Sequence, residues 1–396
     1  MTMPALVSSP FRSFWMGGFE CTDKLNAFGE RVDFLPLTGH LKLLDSDYRN
    51  LAPFNIRTVR EGIRWSQIER APYVYDWTMV ERMITCAQAH GIQQIWDICH
   101  FGFPDDLTPL HPLFPRRFAA VCKAFARFFR SMDATSPLIV TPINEVSFLS
   151  WLGGQVRGTS PFCVGQGWEV KYRLMKAYIE GVEALKEVDS KVRILTTEPL
   201  VQISAPLSAD RDLRKHAEHH NELQFQAIDI LTGRLCPELR GRPEYVDFVG
   251  LNFYYNNQWV VDTHAFIDWR FCDPRWVPLH RLLGQVHQRY GRPLVLAETS
   301  HPKEDRPLWM DVVTNECSTA IGLGVPLLGV CWYPIIDRPD WNDLMTWHQA
   351  GVWDRGPAPG SEPGRVLHQP TARALLHAQA SLGGRIDHEP SLAIVR

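Results

Sequence analysis

The chain has 396 residues, 45% hydrophobic and 21% charged, with a formal net charge of −3 at pH 7. That balance fits a globular protein with a large core, and without any Lys/Arg block it argues against a nucleic-acid surface. No apolar run approaches membrane-spanning length, and residues 1–10 lack a basic stretch followed by an apolar one, so neither a membrane span nor a secretory signal is expected.

Short apolar runs alternate with longer amphipathic stretches. Residues 14–19 read as a first strand and 56–60 as a second, with a helical stretch near 47–51 before it. A helix over 76–90 closes on Gly91, and a third strand covers 92–99. A helix over 115–132 starts on Pro115 and lines up Phe118, Val121, Cys122, Phe125, Phe128 and Phe129 on one face. The fourth strand covers 138–143, a helix 168–188 and the fifth strand 192–197. A helix is expected over 212–235, the sixth strand over 245–251, and a helix over 274–290 that closes on Gly291. The seventh strand covers 293–297, a helix 308–323, the eighth strand 325–332 and a closing helix 371–382. The Pro/Gly-rich stretch 356–364 reads as a loop, and the tail after Gly384 as loosely held.

Eight strand–helix alternations with fully apolar strands predict an α/β fold, a single (β/α)8 TIM barrel. The whole chain, 1–396, is read as one catalytic barrel with its core at about 14–382. In such a barrel, active sites form at the C-terminal ends of strands. Glu20, Arg60, Asp97, His100, Asn144, Glu145, Glu198, Asn252, Tyr254, Glu298 and Trp332 all fall there. Stability alone does not require such an excess of acids, amides and aromatics.

Two of these acids end β-prone runs, in Thr141-Pro142-Ile143-Asn144-Glu145 and Val295-Leu296-Ala297-Glu298. Only a closed fold could bring them together, and a facing pair of carboxyl groups is what glycoside hydrolysis needs. The 14 Trp include candidates for stacking on sugar rings. The nine cysteines are scattered without a C-x-x-C pair, which points to a reduced compartment and, with no signal seen, to a cytoplasmic location. His216, His219 and His220 form a tempting cluster, but no third ligand can be named beside His216 and His220, so a solvated helix face is expected and no metal. No G-x-G-x-x-G or Walker pattern occurs, and no cofactor is expected.

The strand ends resemble family 1 of the clan A glycoside hydrolases, the β-glucosidase and β-galactosidase type. Asn144-Glu145 is similar to the pair ending strand four, whose Glu is the acid/base, and Glu298 to the strand-seven nucleophile. The run from Val59 to Ile68 is similar to the strand-two segment whose Arg, here Arg60, supports the nucleophile. Cys99-His100-Phe101-Gly102-Phe103-Pro104 resembles the strand-three segment with the sugar-binding His. Gly250-Leu251-Asn252-Phe253-Tyr254 resembles the strand-six segment whose second Tyr, here Tyr254, contacts the nucleophile. Trp332 through Trp341 resembles the Trp-x-x-x-Asp-x-x-Glu-Trp run after strand eight, and Gly351-Val352-Trp353-Asp354 its downstream end. The resemblance covers roughly residues 14–354.

The resemblance implies a retaining β-glycosidase acting on β-linked glycosides or short oligosaccharides, a divergent member of its kind. Glu298 would attack and Glu145 would serve as acid and then base, with carboxyl groups about 5–5.5 Å apart. Arg60, Asn144 and Tyr254 would support them. His100, Asn252, Trp332, Asp340, Trp341, Glu20, Trp151 and Glu198 are the candidate substrate-binding residues, with Trp332 as the floor under the sugar. The departures lie in the pocket wall. Asp340 replaces a Glu, with Arg338 beside it, and the first-strand segment has no Gln, so that Glu20, Asp23 or Lys24 takes its place. With no Lys between Trp341 and Asp354, a 6-phosphorylated sugar is disfavoured. The alternatives are a β-transglycosidase of the same mechanism and a non-catalytic sugar-binding barrel. A carbohydrate is the expected partner, and the oligomeric state is not legible.

Overall fold

The computed structural model describes residues 9–356 and 364–386. Eight parallel strands close a barrel: β1 (Trp15–Gly18), β2 (Thr58–Gly62), β3 (Gln93–Cys99), β4 (Ile139–Ile143), β5 (Arg193–Pro199), β6 (Phe248–Asn252), β7 (Leu294–Thr299) and β8 (Leu327–Trp332). They neighbour one another in chain order, and β8 closes on β1 with Gly17 opposite Trp332. Each expected strand is present with its ends moved by a few residues.

Barrel strands are buried on both faces, which explains their apolar runs. Met16, Ile95, Ile139, Leu195, Val295 and Ala297 fill the interior, while Val59, Trp96, Val140, Val249 and Leu296 belong to the larger core under the helices. The helix Phe114–Met132 buries Phe118, Val121, Cys122, Phe125 and Phe129. It approaches the helix Gly167–Val188 so closely that a Cβ on Gly181 would stand 2.7 Å from the Phe118 ring.

The expected helix over 212–235 is broken. Arg211–Glu222 is one helix, Leu223–Phe225 is a tight turn, and Gln226–Leu231 is a second short helix. Asn221 holds the first piece to the outlying strand Gln202–Ser204, its Oδ1 accepting from Ile203 N at 2.7 Å. The second piece must turn inward to bury Ala227, Ile228, Ile230 and Leu231. Two other helices differ at their starts: His40–Leu51 begins earlier than expected, and Leu279–Tyr290 begins only after Pro278.

The expected loop 356–364 lies outside the described residues except at its ends, where Trp353–Gly356 and Gly364–Leu367 pair antiparallel. The final helix runs Gln369–Ile386, and the expected loose tail lies outside the described residues from 387 onward. Among the described residues no helix is long and apolar enough to cross a membrane.

Candidate active site

Glu298 reaches the pocket through an irregularity in β7. Val295 and Ala297 face the barrel interior and Leu294 and Leu296 face the helices, so plain alternation would send Glu298 outward. The register of β7 shifts against both neighbours between Leu296 and Thr299. A bulge re-aims the side chains that follow it. Thr299 therefore meets the helix residue Trp309, whose Nε1 donates to Thr299 Oγ1 at 2.9 Å, and Glu298 turns inward.

There Glu298 Oε1 accepts from Nη1 of Arg60 at 2.8 Å, and Oε2 accepts from the Tyr254 hydroxyl at 2.7 Å. Burial and the negative Glu298 both raise the pKa of the Tyr254 phenol, so it stays a donor. Arg60 is fully buried in β2 and fans out over the site. Its Nη2 donates to Asp97 Oδ2 at 2.5 Å and to Asn144 Oδ1 at 3.1 Å. Glu61, next in the strand, faces the other way, where Tyr48 donates to it at 2.7 Å.

Glu145 follows β4 with φ of 45°, a left-handed conformation uncommon outside glycine. Its Oε1 accepts from Asn252 Nδ2 at 2.9 Å, and Asn252 is the register partner of Glu298. Burial pushes the Glu145 carboxyl well above its ordinary range, and the nearby charges of Glu298 and Glu198 push it further. The two glutamates thus lie close enough for the charge of one to act on the other, one tied to a cation and the other held toward its protonated form.

Asn144 is fully buried, with Nδ2 3.2 Å from Nε2 of His100. His100 Nδ1 lies 2.8 Å from Asp97 Oδ2, and its ring stacks on Tyr333 at 5.8 Å and 3°. Burial alone would lower the imidazole pKa, but the bond to Asp97 and the charge of Glu20 raise it. Glu20 accepts from the Thr22 hydroxyl at 2.5 Å and pairs with Arg338 Nε at 3.3 Å. Burial opposes its ionisation, yet Arg338, His100 and Thr22 hold it below the usual carboxylate range. Asp23 turns away from the wall, its Oδ2 accepting from Ser66 N at 3.0 Å.

Trp332 is not the floor. Its ring lies in the core under the helices, with Nε1 donating to Ala350 O at 2.9 Å. Alternation along β8 turns Cys331 and Tyr333 inward and Trp332 outward. Tyr333 is the aromatic on the inner side: Arg60 Cζ stands 5.0 Å from its ring centre and His100 stacks on it. Spacing carried the missing signal. Tyr333, rather than Trp332, stands four residues before Asp337 and so fits the Trp-x-x-x-Asp run that ends at Asp340-Trp341.

Asp340 is occupied by its own loop. Its Oδ1 accepts from the backbone N of Asn342 at 2.8 Å and of Asp343 at 3.1 Å, and Oδ2 lies 3.4 Å from His348 Nε2. Trp341 packs with Phe101 and Phe148, and the half-exposed Trp151 meets Phe148 at 5.7 Å, which makes one aromatic group. Glu198 lies beneath the short helix Val146–Ser150, accepting from Ser147 N at 3.1 Å, and burial raises its carboxyl to about 7. Asp97, Tyr333, Lys24 and Arg338 are the wall and floor residues to which the sequence reading assigned no firm role.

Cys21, Asp97 and His100 come within ligand range of one another. A cation there would meet Arg60, which already holds Asp97 Oδ2, so this donor set does not suit a metal. His216 pairs with Asp262 at 3.1 Å on a partly exposed helix.

No protein-family model matches the chain, and no curated protein matches it by sequence. Solved structures do match. A family 1 β-glucosidase from Thermotoga maritima superposes with a TM-score of 0.74 at 14% identity, over 95% of this chain and 98% of that one. The Thermotoga maritima β-glucosidase in complex with glucoimidazole gives 0.73 at 15% identity, over 94% and 92%. The monomer of a hyperthermophilic β-glucosidase mutant gives 0.72 at 12% identity, over 92% and 99%. The chain therefore has the fold of the family 1 β-glucosidases, at a sequence identity of 12–15% to the three structures named.

Proposed function

We propose that the chain is a retaining β-glycosidase that hydrolyses β-linked glycosides or short oligosaccharides within one catalytic barrel. The observation that carries the reading is the split environment of the two glutamates: Arg60 and Tyr254 on Glu298, and burial with negative neighbours on Glu145. A pair of carboxyl groups driven apart in this way divides into nucleophile and acid.

Glu298 attacks the anomeric carbon as the bond from that carbon to the leaving oxygen breaks. That oxygen takes the proton of Glu145. Glu145, now charged, removes a proton from water, the hydroxide adds to the anomeric carbon, and Glu298 leaves with its electron pair. Two inversions return the β configuration. His100 and Asn144 fit hydroxyl contacts on the sugar, and Tyr333 fits a ring to stack beneath it.

The test is to follow the first-formed anomer by proton NMR during hydrolysis of an aryl β-glycoside panel. The β-anomer is expected first. An α-anomer would overturn retention, unchanged turnover in Glu298→Gln and Glu145→Gln would overturn the two-glutamate assignment, and sugar binding without turnover in the wild type would favour a sugar-binding barrel. The exposed Trp151 beside Phe148 favours one second reading, transfer to an acceptor sugar. Transfer products that outweigh hydrolysis at millimolar acceptor would establish it.

A further inference from the structure

Lys24 follows the end of β1 and is 1% exposed. Burying an ammonium is costly unless an acceptor and a counter-charge meet it. Among the described residues Lys24 Nζ has neither a hydrogen-bond acceptor nor an ion pair. Its ammonium lies over the Trp341 ring, 4.5 Å from the centre. Arg338 lies over the same ring at 5.2 Å.

The acids around Lys24 are engaged elsewhere. Glu20 is taken by Arg338, Thr22 and His100, and Asp340 by two backbone N–H groups and His348. Arg338 spends Nε on Glu20 and Nη1 on the carbonyl of Pro339, and among the described residues no acceptor meets its Nη2. This wall therefore holds two cations with unused donors.

We propose that Lys24, with Arg338 beside it, receives a carboxylate carried by the sugar, so that the substrate class is the β-linked hexuronosides. The proposal deepens the glycosidase reading and rests on it. Glu20 and Asp340 act on Lys24 only through their charge, without a direct bond, so a sugar hydroxyl would satisfy one donor of Lys24 and add no ion pair. A carboxylate satisfies both, through a charge-assisted bond stronger than a neutral one. It is also repelled by Glu298, which favours the orientation that keeps it on the cationic wall. Burial lowers the Lys24 ammonium to about 8, against the charges of Glu20 and Asp340, which favour the protonated form. A phosphate carries about twice the charge and would sit against Glu20, so the carboxylate suits the wall better.

The test separates binding from turnover. Glu298→Gln protein is titrated with glucuronate, galacturonate, glucose, galactose and glucose 6-phosphate by calorimetry. A uronate is expected to bind at least about tenfold more tightly than its neutral counterpart. Lys24→Met in the same background should remove that preference, and Lys24→Arg should restore part of it. Equal or tighter binding of the neutral sugar overturns the proposal, with or without a folded Lys24 variant. Tighter binding of glucose 6-phosphate than of either uronate overturns the carboxylate assignment. A retained uronate preference in a wild-type protein that hydrolyses no glycoside would sink the enzyme reading alone.

Discussion

Nη1 of Arg60 lies 2.8 Å from Oε1 of Glu298, while Nη2 of the same guanidinium lies 2.5 Å from Asp97 and 3.1 Å from Asn144. One buried cation on β2 thus ties the ends of β3, β4 and β7 together. Its removal would leave Asp97 with His100 and Glu298 with the Tyr254 hydroxyl.

Arg60→Gln is therefore expected to destabilise the fold by about 3–5 kcal/mol, the usual result of breaking a buried ion pair from one side. It should also lower kcat/KM, because Glu298 loses the Nη1 donor that holds its carboxylate in place. Denaturant melts and steady-state kinetics measure the two effects separately. An unchanged kcat/KM in folded protein would count against Glu298 as nucleophile.

The basic limb should belong to Glu145. Its carboxyl is raised above the ordinary value of 4.5, so activity falls as pH rises through the folded pKa and the acid loses its proton. The Asn252 amide favours the charged form. Asn252→Ala should therefore move the basic limb to higher pH, and a shift in the other direction would contradict this wiring.

The same shift affects stability. A carboxyl whose pKa is higher folded than unfolded costs nothing below about 4.5 and destabilises progressively as pH rises toward the folded pKa. Glu145→Gln removes that charge. It should melt a few degrees above wild type at pH 8, with the gap closing toward pH 4. Differential scanning calorimetry at several pH values reads this directly.

Gly18 should tolerate no side chain. A Cβ there would stand 1.9 Å from Cδ2 of Tyr333. Gly18→Ala is expected to cost about 1–3 kcal/mol by overpacking and to raise KM by tilting the pocket floor. Adding Tyr333→Ala should recover most of the stability and none of the affinity. If Gly18→Ala leaves both melting and KM unchanged, Tyr333 is not a rigid floor.

Much of the barrel was legible because each strand is a short apolar run and each following helix carries an apolar face. The expected 212–235 helix failed because its two halves pack on different partners, the outlying strand near Ile203 and the core at Ile228 and Ile230. The assignment of Trp332 to the floor failed for a different reason. Neighbouring residues on a strand face opposite ways, and a position counted one residue off exchanges the pocket for the core.

The sequence by itself determined the strand–helix order, the acids at the strand ends and the spacing that links Asp337, Asp340 and Trp341. These follow from local periodicity and residue type. Only the tertiary structure decided that Glu298 turns inward, that Tyr333 packs against Arg60 and His100, and that Lys24 is buried without a direct ion pair among the described residues. Those facts depend on a bulge in β7, the pleat of β8 and the packing of loops from distant strands. None of them is a property of the residues nearby in the chain.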